Sequence, residues 1–177
     1  GSRIACHFAN IGCEVVMLDI VPRELNEVEQ KKGISQDSPA FRNRIVNDSL
    51  KFALKSNPSP IYRKSFASRI VTGNFDDDMS KISDCDWIIE VVIERLDIKQ
   101  QVFENVEKFR KPGTLITSNT SGIPIHMMLD GRSDDFKAHF CGSHFFNPPR
   151  YLQLLEIIPT PSTSPEVVEF LMDYGQR

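Results

Sequence analysis

Apolar residues along the chain follow two periodicities in turn. Ile4, Ala5, Phe8 and Ala9 recur at helical spacing, and Asn10-Ile11-Gly12 supplies a stop. Glu14 to Ile20 (EVVMLDI) is a short β-branched run that predicts a buried strand. Pro22 opens a polar, mostly helical stretch reaching Lys55, where Asn57-Pro58-Ser59-Pro60 breaks it. Strands are predicted at Ser68–Thr72, Trp87–Ile93, Thr114–Ser118, Ala138–Phe146 and Leu154–Ile158. Between them, Asp76–Ile82 reads as a short helix or turn. Asp97–Phe109 is an amphipathic helix with Ile98, Val102, Phe103 and Val106 on one face, closed by Pro112-Gly113. A helix starts at Pro124–Leu129, and another at Ser164–Tyr174, where a serine cap, Pro165 and two early glutamates mark the first turn.

Strands alternating with helices predict an α/β protein with a mostly parallel sheet. Ligands on such sheets bind at the carboxyl ends of the strands, so the loops after each strand are the places to look for chemistry. The chain has 177 residues, about one domain, and a chain of that size buries roughly 70% of its unfolded surface. No apolar run reaches the roughly 20 residues that a membrane span needs, and the first residues do not read as a secretory signal.

The net charge of −3 gives no general attraction to nucleic acid, and neither a nucleic-acid nor a membrane partner is expected. The charge is uneven, though. Val21 to Ile70 holds ten Lys/Arg and five Asp/Glu, an excess of +5, leaving −8 for the rest. That segment suits an anionic ligand, or simply a solvated helical face. Cys6, Cys13, Cys85 and Cys141 form no CxxC pair, and they read as reduced, buried thiols in a cytosolic or mitochondrial-type compartment. His7, His126, His139 and His144 are not spaced with them as zinc ligands, so no metal is expected.

Three places carry candidate chemistry. Asp19 ends the second element, where an acidic residue in a dinucleotide fold accepts ribose hydroxyls and repels the extra phosphate of NADP. Counting back about 20 residues makes Gly1 the last glycine of a G-x-G-x-x-G loop whose earlier members are not in the chain. Gly1-Ser2 also reads as a cloning scar. His144 sits at the end of a strand, and histidine as a residue type suits proton transfer in either direction. Glu156 lies within LLEII, where a carboxylate is costly unless paired, and a carboxylate would fix the tautomer of His144. A core histidine and a solvent-facing glutamate are the ordinary alternatives. Glu90, inside WIIEVVI, is a second expensive carboxylate. Glu94 and Lys99 are five apart, which is not the spacing of an intrahelical ion pair.

SNTSGIPI (Ser118 to Ile125) followed by GSHFFNPPRYLQLLEIIPT (Gly142 to Thr160) resembles the signature of L-3-hydroxyacyl-CoA dehydrogenases, enzymes of fatty-acid β-oxidation and related pathways. The likeness extends over nearly the whole chain. GSRIACHFANIG resembles the helix after the glycine loop, VVMLDI the second strand, and DWIIEVVIERLDIKQQVF the fourth strand and its helix. The resemblance implies a Rossmann-like NAD-binding domain over residues 1–177, with a helical excursion at 21–67 that contacts CoA through groups such as Lys51, Lys55, Arg63 and Lys64.

The resemblance also implies roles for single residues. His144 becomes the general base with Glu156 as its partner. Ser121 binds the 3-oxygen of an acyl-CoA substrate, and Asn147 helps to organise the same site. Glu90, Glu94 and Lys99 line the cofactor side together with Gly1 and Asp19. Capping of a helix near Pro124 by Ser118–Ser121, and a turn at Asn147-Pro148, are the structural alternatives. Family members also have a first strand and a helical C-terminal domain that forms most of a homodimer interface. The expectation is that these lie outside the 177 residues, and that the 177-residue polypeptide alone is unstable or inactive. The expected compartment is cytoplasmic, or the mitochondrial matrix or peroxisome in a eukaryote. Two other functions stay open. One is a related dehydrogenase acting on 3-hydroxybutyryl-CoA or a non-CoA hydroxy acid, and the other is a non-catalytic dinucleotide-binding module.

Overall fold

The computed structural model describes residues 1–176. Its strands fall into a two-stranded and a four-stranded sheet, and its contacts divide the chain into two compact units. The first unit holds residues 1–79 and 148–150. Helix α1 (Ser2–Asn10) leads to strand β1 (Val15–Asp19), which pairs in parallel with β2 (Ile70–Asn74). Ala5, Cys6 and Ala9 of α1 pack with Ile70, Val15 and Met17, so the small residues at helical spacing are the ones that meet the sheet.

The stretch expected to be mostly helical holds three helices: α2 (Glu27–Lys31), α3 (Pro39–Arg42) and α4 (Arg44–Lys55). Each break has a local cause. Asn26 and Glu29 close a reciprocal capping box on α2, and Gly33 takes a φ of +63° just after it. Ser38 accepts the Phe41 N–H, with Pro39 in the first turn of α3. A 3₁₀ helix (Lys64–Arg69) precedes β2, so the strand expected at Ser68–Thr72 begins two residues later.

The second unit holds residues 80–147 and, among the described residues, 151–176. Strand β3 (Trp87–Glu90), helix α5 (Leu96–Phe109), strand β4 (Leu115–Ser118), helix α6 (Asp134–Ala138), strands β5 (Phe140–Phe145) and β6 (Leu155–Pro159), and helix α7 (Pro165–Gln176) follow in order. The sheet order is β3-β4-β5-β6, parallel except for the antiparallel edge strand β6. Val167 and Leu171 of α7 pack on Leu115, Cys141, Trp87 and Ile157. On the other face, Phe103 of α5 meets Phe136 and Phe140 edge-on at centroid distances of 5.6 and 5.4 Å.

Several expectations change here. Strand β3 stops at Glu90 instead of running to Ile93, because the Glu90 carboxylate accepts the Val92 N–H at 2.6 Å and turns the chain out of the ladder. Ile125–Leu129 is a 3₁₀ helix, and Met79–Asp84 is another. Helix α6 was not anticipated, although Ser133 caps it and Asp134 and Asp135 open its first turn. The thiols are not uniformly buried. Cys6 and Cys141 are buried, and burial pushes Cys141 up to about 11, whereas Cys13 in the turn after α1 is exposed and Cys85 is intermediate.

Candidate active site

Strand geometry determines which side chains meet. Glu90, Ser118 and Gly142 stand in register across β3, β4 and β5, and His144 follows Gly142 by two residues. Side chains two apart on a strand share a face, so Glu90, Ser118 and His144 occupy one face at the carboxyl ends of three parallel strands. Strand β6 returns antiparallel with Glu156 directly opposite His144. The cross-strand pair closes with His144 Nδ1 at 2.7 Å from Glu156 Oε2. The glutamate accepts, so Nδ1 carries a proton, and in the neutral imidazole Nε2 then keeps a free lone pair. The histidine side chain is 23% exposed and the glutamate 50%, so the pair reaches solvent. Exposure on the edge strand relieves the burial cost expected for Glu156, and the cross-strand register is what pairs it. The Phe146 ring lies 4.9 Å from the imidazole, centroid to centroid.

The other carboxylates at this edge belong to an ion cluster. Lys99 and Glu90 side chains are each 1% exposed. Lys99 Nζ donates to Glu90 Oε1 at 2.9 Å and Oε2 at 3.1 Å, and lies 3.2 Å from Glu94 Oε2. Ser118 Oγ donates to Glu90 Oε2 at 2.5 Å. Glu94 is half-exposed and accepts from the Thr120 hydroxyl and from the N–H groups of Gly122 and Ile123 at 3.2 Å. Partial burial works to raise Glu94. The Thr120 hydrogen bond and the Lys99 ammonium outweigh it and hold the carboxyl at about 2. The five-residue separation of Glu94 and Lys99 therefore does bring them together, because Glu94 precedes α5 and lies on the loop before it.

Ser121 stands inside this clasped segment. Its side chain is exposed and makes no hydrogen bond among the described residues. Thr120 Oγ1 accepts the Ile123 N–H at 3.1 Å in a local turn, and the 3₁₀ helix that follows starts at Ile125 without a side-chain cap, so the expected capping of a helix by Ser118–Ser121 is not what this loop does. Asn147 is exposed, just past the end of β5. Sequence reasoning passed over Ser118, Asn119 and Thr120. Asn119 Oδ1 accepts the Phe145 N–H at 2.8 Å and its own N–H donates to the Glu90 carbonyl at 2.9 Å, tying three strand ends together. The available signal was a run of polar residues at the end of a fully buried strand.

In the first unit, Asp19 ends β1 and accepts the Ile20 N–H through Oδ1 at 2.8 Å. No other hydrogen bond to its carboxylate is made among the described residues, which leaves Oδ2 open. Gly1 caps α1. Asp19 acts electrostatically on the Gly1 amino group, which puts the carboxyl end of β1 beside the start of α1, an arrangement that fits a dinucleotide. Lys51, Lys55 and Lys64 are exposed and make no ion pair among the described residues, and the Arg63 guanidinium lies 6.0 Å from the Phe66 ring centroid. Among the described residues there is no group of His, Cys, Asp or Glu side chains able to hold a metal ion, and no helix long and apolar enough to cross a membrane.

Comparison with known proteins matches residues 1–177 to the model of the 3-hydroxyacyl-CoA dehydrogenase, NAD binding domain family. A Bacillus subtilis protein named "Probable 3-hydroxyacyl-CoA dehydrogenase" is 49% identical over 100% of this chain and 22% of its own length. A Deinococcus radiodurans protein of the same name is 42% identical over 100% of the chain and 47% of its own length. The chain thus spans less than half of these relatives. Among solved structures, the (S)-3-hydroxybutyryl-CoA dehydrogenase of Ralstonia eutropha is similar with a TM-score of 0.66 and 25% identity, covering 99% of this chain and 56% of that one.

Proposed function

The chain belongs to the 3-hydroxyacyl-CoA dehydrogenase NAD-binding domain family, and on that premise we propose that it supplies the nucleotide-binding and proton-transfer machinery of an enzyme that interconverts L-3-hydroxyacyl-CoA and 3-ketoacyl-CoA. The observation that carries the proposal is the His144–Glu156 pair, 2.7 Å apart, at the carboxyl end of a parallel sheet. NAD, when bound, supplies the acceptor for the hydride leaving C3. The protein's own residues do the rest. In the neutral imidazole, with Nδ1–H committed to Glu156, His144 Nε2 takes the proton of the 3-hydroxyl. Glu156 stabilises the imidazolium that results. In the reverse direction the same Nε2–H donates to the forming alkoxide. The open Ser121 hydroxyl donates to the 3-oxygen, where negative charge develops, and Asn147 helps to organise that site. Asp19 accepts the adenosine ribose hydroxyls, a role its open Oδ2 supports. The exposed cations of the 21–67 excursion meet the CoA phosphates.

The relatives' greater length supports a further part of the reading: a segment beyond these residues completes the acyl-CoA cleft and the dimer. The test is NADH consumption with acetoacetyl-CoA in the full-length protein, beside His144→Gln. A fall of roughly 10²–10⁴-fold in kcat with NADH binding retained is the expected result. NADH binding without turnover by the unaltered protein would move the substrate to a different hydroxy acid, and loss of both would leave a non-catalytic module. The Ralstonia neighbour favours a short acyl chain. A kcat/KM for acetoacetyl-CoA above that for a long-chain 3-ketoacyl-CoA would bear this out.

A further inference from the structure

Late in the excursion, the turn Ser59-Pro60-Ile61-Tyr62 is shaped by side chains distant in sequence. Pro60 and Ile61 are buried, and Tyr62, Arg63 and Lys64 after them are exposed. Asn10, the last residue of α1, engages the turn through both ends of its amide. Its Nδ2 donates to the Pro60 carbonyl at 2.9 Å, and its Oδ1 accepts the Tyr62 N–H at 2.8 Å. Arg150 takes the carbonyls on either side of Pro60. Its Nη1 donates to Ser59 at 2.5 Å and to Ile61 at 3.1 Å, and its guanidinium lies over the Tyr62 ring, 4.5 Å from the centroid. Arg150 belongs to the 148–150 segment, which packs with the first unit. Three successive carbonyls and one N–H are thus engaged by two side chains. A buried backbone group without a partner is costly, so these two side chains set the path on which the chain enters Arg63-Lys64.

We infer that Asn10 and Arg150 are positioning residues: by pinning the 59–62 turn they present Arg63 and Lys64 as a fixed pair of cations for the phosphates of the CoA moiety. The inference rests on the reading of the excursion as the CoA contact, and it singles out the two cations whose backbone is fixed from outside the excursion. Lys51 and Lys55 lie on α4 and owe their placement to that helix. On an unpinned turn, Arg63 and Lys64 would attract the same phosphates but would have to be ordered at each binding event, which weakens affinity. Arginine suits the task at position 150, because one planar group reaches two carbonyls while its face covers Tyr62.

The test uses the full-length protein and two substrates, acetoacetyl-CoA and acetoacetyl-pantetheine, which carries the same acyl thioester without the phosphates. The variants are Arg150→Met, the double change Arg63→Ala with Lys64→Ala, and all three together. Arg150→Met is expected to raise the KM for acetoacetyl-CoA on the order of tenfold, with kcat and the NADH Kd unchanged. Its kcat/KM for acetoacetyl-pantetheine should not change, because that substrate has no phosphate to meet the pair. In the background lacking both cations, Arg150→Met should raise the KM for acetoacetyl-CoA no further, because it acts through them. Equal losses on the two substrates would overturn the proposal, since Arg150 would then serve the acyl end or the fold as a whole. Losses that multiply in the triple variant would also overturn it. If Arg150→Met does not fold, Asn10→Ala carries the same cycle from the other side of the turn. A double variant that keeps the full preference for acetoacetyl-CoA over acetoacetyl-pantetheine would remove the CoA reading of Arg63 and Lys64, and this inference with it. The His144→Gln result would stand apart from that outcome.

Discussion

At the scale of single residues, the chemistry depends on which hydrogen bonds are already used. His144 has one ring nitrogen engaged and one open, and Glu156 decides which. Glu156→Gln keeps the shape but removes the charge opposite the imidazolium. It is expected to lower kcat at least about tenfold, with NADH affinity unchanged in a fluorescence titration. Glu94 makes a prediction in pH. Its carboxyl is held at about 2 against an ordinary value of 4.5, so its contribution to stability is fully present above 4.5 and is lost as pH falls from there to about 2. The Glu94→Gln variant should show a shallower loss of unfolding free energy across that window, measured by urea titration at successive pH values. His144 and Glu156 stood out as candidates in the sequence, one at a strand end and the other a carboxylate within an apolar run, and Ser121 through the resemblance of its motif. The burial of Lys99 was not legible there. A lysine reads as surface by type, and only the company of Phe103 and Val106 on its helix face points inward.

At the scale of elements, the antiparallel return of β6 makes the pair. Shifting β6 by one residue would turn Glu156 to the opposite face and leave His144 without a carboxylate. The register is defended by close packing at Gly142, where an added Cβ would lie 2.9 Å from Ile158 Cβ and 3.3 Å from its carbonyl oxygen. Gly142→Ala is expected to destabilise by about 1–3 kcal/mol in urea unfolding. Activity should fall more than stability, because the strands can part only by moving Glu156 away from His144. Short elements were the hardest to read. Helix α6 and the 3₁₀ helices are too brief to show a period, and β3 ends where Glu90 turns inward on its own loop. The longer α5 and α7 kept a full apolar stripe and were read almost to the residue.

At the scale of the molecule, order is unevenly spread. Ile116, Thr117 and Cys141 in β4 and β5 are fully buried, while the excursion presents Phe52 at 74% exposure and a largely exposed basic surface. Amide exchange should therefore be slowest in β4 and β5 and fastest around 33–38 and 56–59. Equal protection in the two regions would contradict this. The sequence by itself determined the class of fold, the order of the strands and longer helices, and the candidates for the reactive side chains. Periodicity, caps and residue type are local properties, and they are written along the chain. Tertiary structure alone decided that the strands divide into two sheets, that His144 faces Glu156, and that Lys99 is enclosed between two carboxylates. Those outcomes depend on the pairing of segments distant in sequence, where register and burial are set by packing across the sheet, and no local pattern encodes them.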